Sequence, residues 1–404
     1  MRDVADRLDD LRDAGLYRRL RLIESPQGPR VTLDGAEVLL LCSNNYLGLA
    51  DHPRVRQAAA DAAERFGAGA GASRLISGNM SIHDRLERRL ADFAGYERAL
   101  LFGSGYLANL GTVSALVGRG QVVFSDELNH ASLIDGCRIS RAERFVYHHC
   151  DLDHLAWGLR KAGHRGALIV TDAIFSMDGD VAPIAELTEL AHRNGCRVLV
   201  DEAHAIGSLG PDGRGAVAEA GLGGEVDLVV GTLGKTLGSY GAYVCASAEI
   251  VDLLTNVARP FIFSTALPPP AVGAAIAALA ILESQPGMVE HLRLNGATLR
   301  EALAENGLQA GPSRTQIVPI VVGDAELAMA LCERALDGRV FAQAIRPPTV
   351  PEGTSRLRLS VMANHGANDL RAAARLIAGA AAELGVGTST AGPGHPQQVL
   401  REAA

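Results

Sequence analysis

The sequence has no cysteine pair of the C-x-x-C kind. Its six cysteines, Cys42, Cys137, Cys150, Cys196, Cys245 and Cys332, are scattered over 404 residues. That argues against a zinc site or a disulfide framework and favours the reducing cytoplasm. An apolar signal region is also missing, because the N-terminus, MRDVADRLDDLRDAG, is charged and helical in pattern. The longest helix-like apolar stretch, Ala271 to Leu282, is too short to span a bilayer. It follows Pro268-Pro269-Pro270, a helix-start signal, so a buried or subunit-facing helix is expected and no membrane partner. Basic residues are in deficit, with 38 Lys and Arg against 46 Asp and Glu, and a net charge of −8 speaks against nucleic acid as a partner. Internal repeats are absent as well.

What is present is ordinary in bulk and specific in detail. A composition of 48% apolar and 21% charged residues suits a soluble protein with a large core. The length implies about two to three domains. Between Leu100 and Ser247 seven runs read as strands: the one ending at Phe102, QVVFS from Gln121, RFVYHH from Arg144, ALIVTDAIF from Ala167, RVLV from Arg197, VDLVVG from Val226 and GAYVCAS from Gly241. Segments of helical character separate most of them, which predicts a largely parallel α/β sheet with ligands beyond the strand C-termini. The expected order is an N-terminal helix-and-strand arm (1–45), a large α/β domain (46–284), a smaller α+β domain (285–385) and a Gly/Ser/Thr/Pro-rich disordered tail (386–404).

VLVDEAH (198–204) and VDLVVGTLGK (226–235) are apolar runs that end in polar residues, as buried parallel strands do at a functional edge. They would bring Asp201 and His204 beside Thr232 and Lys235. That set suits pyridoxal 5′-phosphate (PLP): the lysine for a Schiff base, the carboxylate for the pyridine nitrogen, the imidazole for the ring 3-hydroxyl. GSGYLAN (103–109) follows a strand and opens a helix whose N–H groups could seat a phosphate. The imidazole of His130 could stack on a flat ring, and Ser176 could donate to the cofactor. Taken singly each has a plainer reading: a surface charge for Lys235, a loop cap for His204, a tight turn for 103–109, a structural hydrogen bond for His130. Asp201-Glu202-Ala203-His204 also spells a helicase DEAH box, and Gly234-Lys235-Thr236 mimics the end of a phosphate loop. The G-x-x-x-x-G-K-[ST] pattern fails at Val229, and GKT follows the acidic box where such a loop precedes it, so that reading is rejected. A dinucleotide G-x-G-x-x-G fails at Ala108.

Together these motifs resemble the α-oxoamine synthases of PLP fold type I. The resemblance runs from about Gly15 to Leu384 through CSNNYLGLADHP, GAGASRLISGN, LLFGSGYLAN, DELNHASLIDGCR, TDAIFSMDGD, VDEAHAIGSLGPDGRG, GTLGKTLGSYG, RPFIFSTALPP and IRPPTVPEGTSRLRLS. It implies a homodimer with shared active sites and a catalytic set of Lys235, His130, Asp201 and His204. Gly105, Tyr106, Ser176, Thr232 and Thr265 would complete the cofactor site, Thr265 and Ser264 reaching the phosphate of a neighbouring subunit. Arg18, Asn44, His130, Thr349 and Arg358 would bind substrate, Arg358 clamping a carboxylate. The implied reaction condenses an amino acid with an acyl thioester and releases CO₂. IRPPTVP and GLYRRLR suggest L-alanine and a pimeloyl thioester, on CoA or an acyl-carrier protein. GTLGK and DELNHASLIDG also suit glycine with acetyl-CoA, the alternative substrates. An aminotransferase and a non-catalytic PLP-binding regulator are the competing classes, the second disfavoured because the first ~36 residues are too short and acidic for a DNA-binding domain.

Overall fold

The computed structural model describes residues 3–386 and divides into two compact units. Of the described residues, one gathers 3–43, 177–179 and 291–386; the other comprises Asn44–Ser176 and Asp180–Glu290. The N-terminal segment thus groups with the C-terminal region, and most of the expected tail lies outside the described residues.

In the first unit, strands β1 (Arg30–Leu33) and β2 (Ala36–Leu40) form a hairpin. Asp34 and Gly35 both have positive φ, 47° and 78°, as a tight two-residue hairpin turn requires.

The second unit is built on a seven-stranded sheet, β3 (Arg98–Phe102), β4 (Val122–Asp126), β5 (Glu143–Tyr147), β6 (Gly166–Asp172), β7 (Arg197–Asp201), β8 (Leu228–Thr232) and β9 (Ala242–Ala246). These are the seven runs read from the sequence. Their order in the sheet is β3-β9-β8-β7-β6-β4-β5, parallel except for β9, which is antiparallel to both neighbours. β6 and β7 are buried almost throughout, which is why they appear as continuous apolar runs without alternation. One face packs Val123, Leu168, Val170, Leu199 and Val230 against the helix Gly105–Leu116. Gly273 allows the helix Pro269–Ser284 to approach the helix Pro53–Phe66, because a Cβ there would lie 2.6 Å from Ala58 O.

Back in the first unit, β10 (Ile317–Gly323), β12 (Gln343–Ile345) and β13 (Ser355–Ser360) make an antiparallel sheet, while β11 (Val340–Phe341) adds in parallel to β2. Among the described residues no single helix is long and apolar enough to cross a membrane.

Candidate active site

Three aspartates end the central strands: Asp126 on β4, Asp172 on β6 and Asp201 on β7. Strand alternation divides them. Asp172 and Asp201 are opposite one another in the pairing and lie two residues beyond Val170 and Leu199, so they leave the face packed by the helix Gly105–Leu116. Asp126 is one residue beyond Ser125, the partner of Val170, and leaves the other face.

On the first face Asp201 is 4% exposed, and its oxygens accept Asn109 Nδ2 at 2.6 Å and the Ala203 N–H at 2.8 Å. Asn109 sits one turn into a helix whose cap, Ser104, accepts the Leu107 N–H. The Asn109 amide also reaches Ser132 Oγ at 2.9 Å, and Ser132 Oγ lies 2.7 Å from His130 Nδ1. The Ser132 N–H points at the same Nδ1, which makes that nitrogen an acceptor and places the neutral ring's proton on Nε2. Burial holds His130 below the usual imidazole range, against the pull of Asp201 and with the help of Lys235. Asn109 and Ser132 thus bridge the Asp201 carboxylate to the His130 ring.

Lys235 follows β8 in a turn shaped by Thr232, whose Oγ1 donates to Gly241 O and accepts the Gly234 N–H. Thr236 Oγ1 donates to Ile206 O at 2.6 Å and so ties this turn to the loop that carries His204. Gly207 at the crossing has φ +75°, and a Cβ there would meet Thr236 Cγ2 at 2.1 Å. The half-buried Lys235 Nζ lies 2.8 Å from His204 Nε2, and His204 Nδ1 lies 2.6 Å from the Tyr46 hydroxyl. That hydroxyl donates to Asn44 Oδ1 at 3.0 Å. With the phenol proton spent on Asn44, His204 donates from Nδ1 and receives from the lysine at Nε2. A directed chain runs from Lys235 to Asn44.

The loop after β4 is fastened on both faces. Asp126 Oδ1 accepts the Leu128 N–H, Asn129 Nδ2 donates to Val170 O, Asn129 Oδ1 accepts the Asp172 N–H, and Asp172 Oδ2 accepts the His130 N–H at 2.6 Å. On the far face Asp126 and Asp180 hold His149 from either side, at 3.0 Å on Nδ1 and 2.7 Å on Nε2. Burial opposes its charge, but the hydrogen bonds to Asp126 and then Asp180 raise it to about 12. The ligand atoms of Asp126, His149 and Cys150 lie within 4.8 Å of one another. Both ring nitrogens of His149 are engaged by carboxylates, and the group serves as a clamp between Asp126 and Asp180.

The remaining expected residues are placed differently. Gly105 opens the helix Gly105–Leu116, Tyr106 turns its hydroxyl to Asp135 at 2.6 Å, Ser176 closes one segment of the second unit, and the exposed Thr265 bridges to Ser73. Arg18, Thr349 and Arg358 belong to the first unit: Arg18 and Thr349 are exposed, and Arg358 is buried within β13. Tyr46, Asn109 and Asp172 have no assigned role in the sequence reading. Asp172 carried a usable signal, an aspartate ending an apolar run as Asp201 does. Lys161, the chain's other lysine, lies with Nζ 3.8 Å over the Trp157 ring.

The residues present fit PLP by the chemistry of their donors: a buried carboxylate, an imidazole bridged to it through Asn109 and Ser132, an amine against a second imidazole, and a helix start that follows a strand. The aminotransferase class I and II family matches residues 36–377. An 8-amino-7-oxononanoate synthase of Geobacter sulfurreducens is 53% identical over 390 residues, 95% of this chain and 99% of that protein. A serine palmitoyltransferase from S. paucimobilis, solved with a bound PLP–myriocin aldimine, superposes with a TM-score of 0.90 at 32% identity and covers 95% of this chain and all of that one. An 8-amino-7-oxononanoate synthase from Francisella tularensis gives a TM-score of 0.75 at 27% identity, over 86% of this chain and 98% of that one.

Proposed function

The chain belongs to the class I and II aminotransferase family, in its α-oxoamine synthase branch, and on that premise we propose that it joins L-alanine to a pimeloyl thioester. The products are 8-amino-7-oxononanoate, CO₂ and the free thiol of CoA or of an acyl-carrier protein. The observation that carries the reading is the buried Asp201, bridged to His130 through Asn109 and Ser132, with the Lys235 amine 2.8 Å from His204 at the strand ends of the same sheet. The 53% identity to a synthase of that name supports the choice of substrates.

PLP, when bound, supplies an electron sink for the α-carbon of the amino acid. Asp201 would hold the pyridine nitrogen, His130 the ring face, His204 the 3-hydroxyl, Lys235 the aldehyde carbon, and Gly105, Tyr106, Ser176, Thr232 and Thr265 the remainder. Lys235 Nζ is the group to take the α-proton; it lies 2.8 Å from His204 Nε2, the nitrogen that would meet the 3-hydroxyl once the ring is bound. Tyr46 and Asn44 hold His204 in the tautomer that accepts from the amine. Substrate-binding roles for Arg18, Thr349 and Arg358 rest on the family resemblance alone, as does a homodimer with shared sites.

Thiol release measured with alanine or glycine, each against pimeloyl-CoA, pimeloyl-acyl-carrier protein and acetyl-CoA, tests the reading. Alanine with a pimeloyl donor is expected to give the fastest release and a product of the mass of 8-amino-7-oxononanoate. Turnover restricted to glycine and acetyl-CoA would overturn the substrates. Conversion of PLP to pyridoxamine phosphate by alanine alone would identify an aminotransferase instead.

A further inference from the structure

We infer that Asp172 is a positioning residue of this site: it fixes His130 through the backbone, and it serves as the uncharged member of a carboxyl pair with Asp201. The inference rests on the cofactor reading above, because His130 and Asp201 matter only if a ring lies between them.

The geometry is that of two adjacent parallel strands. Asp172 and Asp201 are register partners at the ends of β6 and β7, so both side chains leave the same face from neighbouring backbones. They are 3% and 4% exposed. Two ionised carboxylates so placed would repel in a medium that screens poorly, and one of them holds its proton. The hydrogen bonds decide which. Asp201 receives two N–H donors, from Asn109 and Ala203, and among the described residues the Asp172 carboxyl receives one, from His130. Donors stabilise the ionised form, so the charge belongs on Asp201. The surroundings of Asp172 agree: burial and then Asp201 push it well above the ordinary carboxylate range, the charge of Asp126 on the far face adds to this, and the His130 N–H and Lys235 only partly oppose it.

The consequence is a site with one negative charge opposite the pyridine nitrogen. A second ionised carboxylate would compete for that nitrogen's proton and for the Lys235 ammonium. Asp172 also receives the His130 N–H at 2.6 Å while its own N–H is held by Asn129, so the origin of the His130 side chain is set from the end of β6.

The test uses the full chain carrying Asp172→Asn, Asp172→Ala or Asp201→Asn, with PLP affinity read by absorbance titration. Asp172→Asn keeps an oxygen for the His130 N–H and carries no charge, so its dissociation constant is expected within ~3-fold of the parent protein. Asp172→Ala removes the acceptor and is expected to weaken binding by ~10-fold, the scale of one hydrogen bond to a buried donor. Asp201→Asn is expected to weaken it by at least as much. The second readout is the thermal midpoint of PLP-free protein from about pH 6 to 9. A raised carboxyl in the fold costs stability as pH rises through its folded value, so Asp172→Asn should gain on the parent with increasing pH. An Asp172→Asn variant that binds PLP as poorly as Asp201→Asn, or an Asp172→Ala variant that binds like the parent, overturns the inference. Should Asp172→Ala not fold, the asparagine variant decides by itself. If Asp201→Asn leaves affinity unchanged, the cofactor reading falls, and the PLP-free pH series still judges the charge: parallel curves refute it.

Discussion

At the scale of single residues, the chain has two lysines, and they are held in opposite ways. Lys161 spreads over Trp157 on the helix Leu152–Ala162, while Lys235 points its amine at His204 in a half-buried turn. Borohydride reduction of the PLP-loaded protein, followed by peptide mass mapping, is expected to fix the cofactor on Lys235, and Lys235→Ala to retain no covalent cofactor and no activity. Label on Lys161 would refute the assignment. The lysine and Asp201 were legible because each ends an apolar run. Tyr46 and Asn109 were not, since each acquires its meaning from a partner 158 or 92 residues away, and no local pattern encodes that pairing. Asn109 shares a helix face with Gly105 by its four-residue spacing, but the carboxylate it meets depends on how β3 and β7 are ordered in the sheet.

At the scale of elements, all seven strands of the central sheet could be read from composition: burial on both faces leaves apolar runs in the inner strands, and the largely exposed edge strand β5 still shows aromatic and β-branched residues. Their order could not, since helix crossovers let successive strands be placed anywhere in the sheet. The loop from Asp126 to His130 shows the cost of that ignorance: its four anchors come from β4, β6 and the residues between. Behind it, His149 joins the end of β5 to Asp126 and Asp180 as a charged clamp. A histidine whose folded value is raised above its unfolded ~6.5 gives its full stabilisation below that value and loses it as pH climbs toward about 12. His149→Gln is therefore expected to lie furthest below the parent protein in urea midpoint near about pH 6, the gap narrowing toward about pH 9. A gap that widens with pH would mean that the ring is neutral in the fold.

At the scale of the whole molecule, large apolar side chains stand exposed on the second unit, among them Ile76 at 80%, Phe263 at 70% and Tyr240 at 58%. Exposure of this kind suits an assembly, and the proposed shared site requires one. Sedimentation of the purified chain at micromolar concentration is expected to give twice the mass of a single chain, and Phe263→Glu to shift it toward the monomer with loss of activity; an active monomer would remove Thr265 from the site. The central sheet also constrains how this chain can change over generations. Asp126 and Asp172 leave opposite faces by the parity of their strand positions. One codon inserted within β6 would exchange the directions of Thr171 and Asp172, stranding a carboxyl beside Tyr147 and leaving Asp201 a threonine for company, whereas two codons would restore both. Viable descendants should accordingly differ here by even counts within strands, with odd counts confined to the connecting turns.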